Sequence, residues 1–147
     1  MNNKELGEIL NNIYLLHQVI TKNDSEYEDF KGHRNTSTYY LTLIVLKERG
    51  KLPLSEIGKL IGMSKQNMTR ITDTLVEKGL VMRIPCNEDR RVININITNN
   101  GEECLVEWQK NKIKNINKFF ACFQDKELKK FLFHLKTLNT CSLNMED

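Results

Sequence analysis

The chain of 147 residues has few of the residues that make tight turns, with only 7 glycines and 2 prolines. Sandwiches and barrels need frequent turns, so this scarcity argues against an all-β fold and favours long helices. The sequence also lacks an apolar run near the roughly 20 residues that a bilayer span requires. Its first residues carry no apolar signal-peptide core. We therefore expect a single cytoplasmic domain over residues 1–147, with no membrane segment.

Metal, redox and catalytic motifs are missing as well. The 4 cysteines form no C-x-x-C pair, and the 3 histidines are widely scattered. Such cysteines are expected to be thiols in a reducing compartment rather than a disulfide framework. The sequence contains no phosphate-binding loop and no G-x-S-x-G nucleophile motif. We therefore predict no metal, no cofactor and no enzymatic activity.

The overall charge is only mildly basic. Lysine and arginine number 22 against 19 acidic residues, which gives a net charge of +3. This excess permits an anionic partner without requiring one. An argument for nucleic-acid binding must therefore rest on where the positive charges lie.

Most of the chain has apolar residues at helical spacing. One helix is expected over residues 6–22 and a second from residue 35 or 36 to a stop at Gly50. Thr98 and Asp125 are suitable N-caps for two long helices in the C-terminal third. The sequence thus predicts a mainly α protein.

Residues 54–79 have the pattern of a helix-turn-helix. A short helix begins near Pro53 and ends at Gly62, which allows a tight turn. Ser64 then caps a longer helix that Gly79 ends. The exposed face of this second helix is predicted to carry Lys65, Gln66, Asn67, Thr69, Arg70 and Asp73. The candidates for DNA contact are Ser64, Lys65, Gln66, Asn67, Thr69 and Arg70. Side chains of these types reach base edges in a major groove, and the helix N-terminus favours a phosphate.

A β-hairpin is expected directly after this helix, where apolar and polar residues begin to alternate. Its strands are residues 80–84 and 92–97, and the charged loop between them contains Asp89, Arg90 and Arg91. A hairpin in this place is a wing, and wing arginines can enter a neighbouring minor groove. We expect Asp89 to hold one arginine so that the other points outward. We favour Arg90 in the groove and Arg91 paired with Asp89, and the reverse assignment stays open.

This central region contains the segments LSEIGKLIGMS at 54–64, TR at 69–70, LVEKGLV at 75–81, DRR at 89–91 and ITNNG at 97–101. Together these segments resemble the MarR family of bacterial transcription regulators. The family's Leu-Thr-x-x-Gly motif is present with Ile97 in place of its leucine. The resemblance covers the central part of the chain, and the flanking helices match only in length and order.

The resemblance implies a mainly α (α+β) winged helix-turn-helix at about residues 36–98. It also implies dimerisation helices at about 1–34 and 99–147, which interleave in a homodimer. Members of the family bind pseudo-palindromic operators in double-stranded DNA, usually as repressors that a small molecule releases. The terminal helices carry more apolar residues than so small a domain needs, which agrees with a homodimer.

An effector cleft is a further implication of the resemblance. Its candidate lining residues are Tyr14, His17, Tyr39, Tyr40 and Trp108. Each of them also suits an ordinary core or interface. Peroxide-sensing relatives carry a cysteine in the first helix and zinc-sensing relatives a histidine-rich cluster, and this sequence has neither.

A winged-helix module that binds proteins rather than specific DNA is the alternative function. The positive charges of Lys65, Arg70, Arg90 and Arg91 lie on the expected DNA side, which favours DNA. Salt dependence separates the two functions, because counterion release makes DNA affinity fall steeply with salt.

Overall fold

Helices predominate in the computed structural model, which describes residues 2–21, 36–86 and 91–143. The elements are α1 (Asn3–Thr21), α2 (Thr36–Arg49), β1 (Leu52–Pro53), α3 (Leu54–Leu60), α4 (Lys65–Glu77), β2 (Val81–Pro85), β3 (Ile93–Ile97), α5 (Asn99–Phe120) and α6 (Asp125–Leu143). This order confirms the predicted winged helix-turn-helix, with helices before and after it. The chain divides into two compact units, Met1–Lys110 and Asn111–Asp147.

The core of the first unit forms where α2, α3 and α4 pack against the sheet. Its fully buried side chains include Tyr40, Leu43, Leu46, Ile57, Met68, Leu75, Ile95 and Leu105. In α4, the buried residues Met68, Ile71 and Leu75 recur at helical spacing. Burial of this stripe holds one face of α4 in the core and leaves the opposite face exposed.

The sheet has three antiparallel strands in the order β1-β3-β2. The predicted hairpin is the β2–β3 pair, with Val81 opposite Ile97 and Arg83 opposite Ile95. Strand β1 was not predicted, and its Pro53 lies opposite Asn94 rather than in the first helical turn. Pro53 is instead the extended N-cap of α3, with φ −60° and ψ 145°. A proline suits both positions, because neither an edge strand nor an N-cap needs its missing N–H.

The junction between α4 and α5 is closely packed. Thr98 caps α5 as predicted, since its Oγ1 accepts a hydrogen bond from Gly101 N at 3.1 Å. The same hydroxyl donates to the carbonyl of Gly79 at 2.6 Å. Gly79 has a φ of 68°, a left-handed conformation that favours glycine. These bonds tie the first turn of α5 to the turn that ends α4.

The start of α6 differs from the prediction by one residue. Asp125 is the first helical residue rather than the cap. The Oε2 of Glu127 accepts a hydrogen bond from Gln124 N at 2.8 Å, so Gln124 occupies the cap position. A glutamate in the first turn that bonds back to the cap N–H is one half of a capping box. This bond moves the cap to the preceding residue.

Helices α1 and α6 expose many apolar side chains on the exterior of the chain. Helix α1 contains no buried residue. Its exposed apolar side chains are Leu6, Ile9, Leu10, Ile13, Tyr14, Leu15 and Val19. In the second unit, the ring of Phe120 contacts the rings of Phe123 and Phe131 at centroid distances of 5.9 and 6.0 Å. The apolar side chains of Leu132, Phe133 and Leu138 on α6 are exposed. Among the described helices, none combines the length and apolarity of a membrane span.

Candidate nucleic-acid interface

The exposed face of α4 carries the residues that the sequence predicted for DNA contact. Ser64, Lys65, Gln66, Asn67, Thr69 and Arg70 are all exposed. The side chains of Gln66, Asn67 and Arg70 have no hydrogen-bond or ion-pair partner within the described residues. Their donors therefore point away from a helix whose other face is fixed in the core. Contact of these six residues with DNA stays a prediction.

The N-terminus of α4 presents groups that can bind an anion. Ser64 caps the helix as predicted, because its Oγ accepts a hydrogen bond from Asn67 N at 3.4 Å. This bond leaves the hydroxyl hydrogen available to a phosphate oxygen. The first turn contains no acidic residue and begins with Lys65. A lysine here is repelled by the positive end of the helix dipole, which slightly destabilises the helix. A bound phosphate would offset this repulsion.

The Thr69 side chain differs chemically from its neighbours on the exposed face of α4. Its Oγ1 donates a hydrogen bond to the carbonyl of Lys65 at 2.9 Å. The hydroxyl hydrogen is thus already in use, while the methyl group remains exposed. A threonine methyl can contact the methyl group of thymine in the major groove. Thr69 is therefore better suited to apolar base contact than to phosphate.

A groove of about 390 Å³ lies beside the N-terminus of α4. It is lined by Leu54, Ser55, Gly58, Lys59, Gly62, Met63 and Lys65. A Cβ on Gly58 would lie 3.1 Å from Met63 O and 3.2 Å from Met68 Cγ, so this glycine lets α3 approach α4 closely. The groove brings Ser55 and Lys59 next to Lys65. These two residues could not be identified from the sequence, because single polar positions on a seven-residue helix give no periodic signal.

An ion pair joins α4 to the wing. Arg83 Nη2 of β2 donates to Asp73 Oδ1 of α4. This contact was not predicted from the sequence. The available signals were an acidic residue on the exposed face of α4 and an arginine within the following strand. A pairing between them depends on how the hairpin folds back towards the helix.

Only part of the predicted wing tip falls in the described region. Arg91 is exposed and precedes β3. Asp89 and Arg90 lie outside the described residues. The proposed pairing of Asp89 with an arginine therefore stays a prediction.

The five candidate effector residues fall into two groups. Tyr39 and Tyr40 are buried in the core, and Tyr40 stacks on Trp108 with ring centroids 4.6 Å apart and an interplanar angle of 18°. By contrast, Tyr14 is 64% exposed and His17 is exposed, both on α1. The structure thus brings Tyr40 and Trp108 together as part of the core. A cleft lined by all five residues stays a prediction.

Comparison with known proteins identifies the family. The sequence profile of the MarR family matches residues 36–93, from the start of α2 to the start of β3. YpoP of Bacillus subtilis (strain 168), named as an uncharacterized HTH-type transcriptional regulator, is 32% identical over 114 residues. That alignment covers 78% of this chain and 81% of YpoP. The chain belongs to the MarR family.

A further relative and two solved structures are also similar to this chain. The transcriptional repressor MprA of Escherichia coli (strain K12) is 29% identical over 102 residues, which are 68% of this chain and 58% of MprA. A MarR family protein from Bacillus stearothermophilus superposes with a TM-score of 0.73 at 20% identity, covering 97% of this chain and 99% of that one. A crystal structure of MarR gives 0.74 at 20% identity, covering 99% and 93%. These structures share the fold, which confirms the predicted MarR winged helix.

Proposed function

We propose that this MarR-family chain is a sequence-specific DNA-binding repressor that acts as a homodimer on a pseudo-palindromic operator. The observation that carries the proposal is the exposed face of α4. The side-chain donors of Gln66, Asn67 and Arg70 lack partners within the described residues. Meanwhile Met68 and Leu75 fix the other face of the helix in the core. A rigid helix with unengaged donors suits insertion into a major groove.

The residues of this face divide between bases and phosphates. Gln66, Asn67 and Arg70 contact base edges, because amide and guanidinium groups can form bidentate bonds to adenine and guanine. Ser64 and Lys65 hold phosphates at the N-terminus of α4. The groove residues Ser55 and Lys59 bind the same stretch of the DNA backbone, since they line the groove together with Lys65. Phosphate contacts set the register, and base contacts provide specificity.

The wing provides the second contact. In the proposal Arg90 enters the minor groove, while Asp89 pairs with Arg91 and braces the loop. A narrow minor groove concentrates negative potential and so attracts an arginine. A carboxylate beside DNA would repel phosphate unless an arginine engaged it. The wing then adds affinity on all sequences rather than at one base pair.

In this proposal a second copy of the chain covers the apolar face of α1 and, separately, that of α6. Within a single chain, Ile13 is 55% exposed and Leu132 is 52% exposed. Burial of such side chains stabilises association, and obligate dimers bury more than about 2,000 Å² in total. A two-fold dimer presents two α4 helices, so the operator half-sites should lie about one helical turn, roughly 34 Å, apart.

Repression and its release complete the proposal. MprA, a similar protein, is named as a transcriptional repressor, which supports repression rather than activation. Release by a small molecule follows from the family resemblance, with Tyr14, His17, Tyr39, Tyr40 and Trp108 as the candidate lining. As a regulator of bacterial DNA, the protein would act in the cytoplasm.

Selection of bound duplexes from random DNA tests the proposal. The full chain should enrich a pseudo-palindrome, and its affinity should fall steeply as salt rises. A variant with Lys65→Glu and Arg70→Glu should lose the enrichment while keeping its helical content. If the wild-type chain enriches no sequence and captures a protein partner with weak salt dependence, the protein-interaction alternative is correct.

A further inference from the structure

Asp73 is an acidic residue on the proposed DNA-binding face. It is on α4, one helical turn beyond Arg70 and on the same side. A carboxylate in this position repels phosphate and lowers affinity unless a positive group offsets it. Asp73 therefore needs a role that outweighs its charge.

Arg83 is the partner of Asp73, and it comes from the wing. Arg83 is the middle residue of β2 and lies opposite Ile95 of β3. Alternation along the strand places Arg83 on the same sheet face as the buried Val81. From this face its Nη2 reaches the Asp73 carboxylate. The pair thus bridges the two elements that carry the proposed DNA contacts.

Exposure of the pair indicates what the ion pair does. The Arg83 and Asp73 side chains are 42% and 47% exposed. Ion pairs this accessible to solvent contribute little to folding stability. A similarly exposed pair, Lys47 with Glu102, joins α2 to α5. The Asp73–Arg83 pair differs in its placement, since it lies between α4 and β2.

We propose that Asp73 and Arg83 are positioning residues that hold wing strand β2 at a fixed angle to α4. The inference rests on the proposed DNA-binding function, because a fixed angle matters when both elements engage one duplex. Preorganisation of this kind lowers the cost of ordering the wing during binding. Asp73 thereby raises DNA affinity despite its negative charge.

Asp73→Asn removes a negative charge, and the direction of the resulting change in DNA affinity tests the proposal. Asp73→Asn should weaken binding to the selected operator by up to about fivefold per subunit, the range expected for an accessible ion pair. Glu77→Gln is the matched control, because Glu77 is an exposed carboxylate further along α4 with no ion-pair partner among the described residues. It should leave the affinity unchanged or raise it slightly. If Asp73→Asn and Glu77→Gln both bind the operator more tightly than the wild-type chain, and to the same extent, Asp73 is only a surface charge and the proposal is overturned.

Arg83→Gln separates positioning from direct phosphate contact. If Arg83 positions the wing, its loss should weaken operator binding but leave the slope of log affinity against log salt unchanged. A phosphate contact would lower that slope by about one unit. The double variant Asp73→Asn/Arg83→Gln should lose no more affinity than the single variant that loses more. A lowered slope or additive losses would overturn the proposal.

Hydrogen exchange without DNA gives a readout that does not depend on the proposed function. Backbone amides of β2 and β3 should exchange about threefold faster in Asp73→Asn and in Arg83→Gln. Glu102→Gln, which breaks the Lys47 pair, should not change them. Unchanged exchange in all three variants would overturn the positioning role even if DNA binds. By contrast, a wild-type chain that does not distinguish its selected operator from random DNA would refute the proposed function.

Discussion

Helices α4 and α6 are both amphipathic, but their apolar stripes are covered differently. In α4, Met68 and Leu75 are completely buried within the chain. In α6, Leu132 and Leu138 are 52% and 62% exposed. Helical spacing predicts in both cases that one face must be covered. For α4 the chain's own core provides the cover and leaves the polar face exposed for the proposed DNA contacts, whereas for α6 we propose that a second copy of the chain provides it.

Of the variants considered, charges in the apolar stripe of α6 should have the largest effect on assembly and stability. Leu132→Asp with Leu135→Asp places two carboxylates where the proposed partner subunit packs. Unpaired buried charges are strongly destabilising, so the chain should dissociate and then unfold or aggregate. Sedimentation should show loss of the homodimer, and circular dichroism should show loss of helix.

Lys130→Asp is the control for this double variant. Lys130 is exposed and lies on the opposite face of α6 from Leu132 and Leu135. It should leave the dimer and the helical content intact. A folded dimer in the double variant, or a wild-type mass of 17.2 kDa in solution, would contradict the proposed interface.

A substitution at the α4–α5 junction tests the internally covered region. A Cβ on Gly101 would lie 2.1 Å from Leu80 O and 2.8 Å from Ile97 Cγ1. The backbone must shift to admit it, so Gly101→Ala should reduce the free energy of unfolding by about 3 kcal/mol, the upper end for overpacking. Asn100→Ala, at the exposed neighbouring position, should have little effect in the same denaturant titration. Equal stability of the two variants would contradict this expectation, because the backbone at the junction would then shift at little cost in free energy.

The wing should give the smallest effects. Arg90→Ala should weaken DNA binding on all sequences and lower the slope of log affinity against log salt by about one unit. Asp89→Ala should also weaken binding, although it removes a negative charge, because the loop loses its brace. Binding titrations over a range of salt concentrations check both. Tighter binding by Asp89→Ala, with fold and dimer intact, would contradict the braced wing.

Features set by neighbouring residues could be predicted from sequence. Ser64, Gly79 and Thr98 mark helix ends as expected, because caps and left-handed turns depend on residues within one helical turn. The six residues of the α4 face followed from the same helical pattern. They are exposed together because the opposite face carries the apolar stripe.

Features that depend on distant residues were not predictable in this way. Strand β1 exists because Leu52 meets Ile95 of a strand much later in the chain. Arg83 meets Asp73 only after the hairpin folds back towards α4. Ser55 joins the groove only when α3 packs on α4. In each case the sequence shows an ordinary local pattern, and tertiary packing determines the contact.

The most direct test of the account is the affinity of the wild-type chain and of Arg70→Ala for the selected operator and for random DNA. If the exposed face of α4 reads bases, Arg70→Ala should lose about 1–3 kcal/mol on the operator. On random DNA it should lose only the smaller contribution of one positive charge. The preference for the operator should therefore shrink by roughly tenfold or more. Equal losses on both DNAs would contradict the account, because Arg70 would then contact only the backbone.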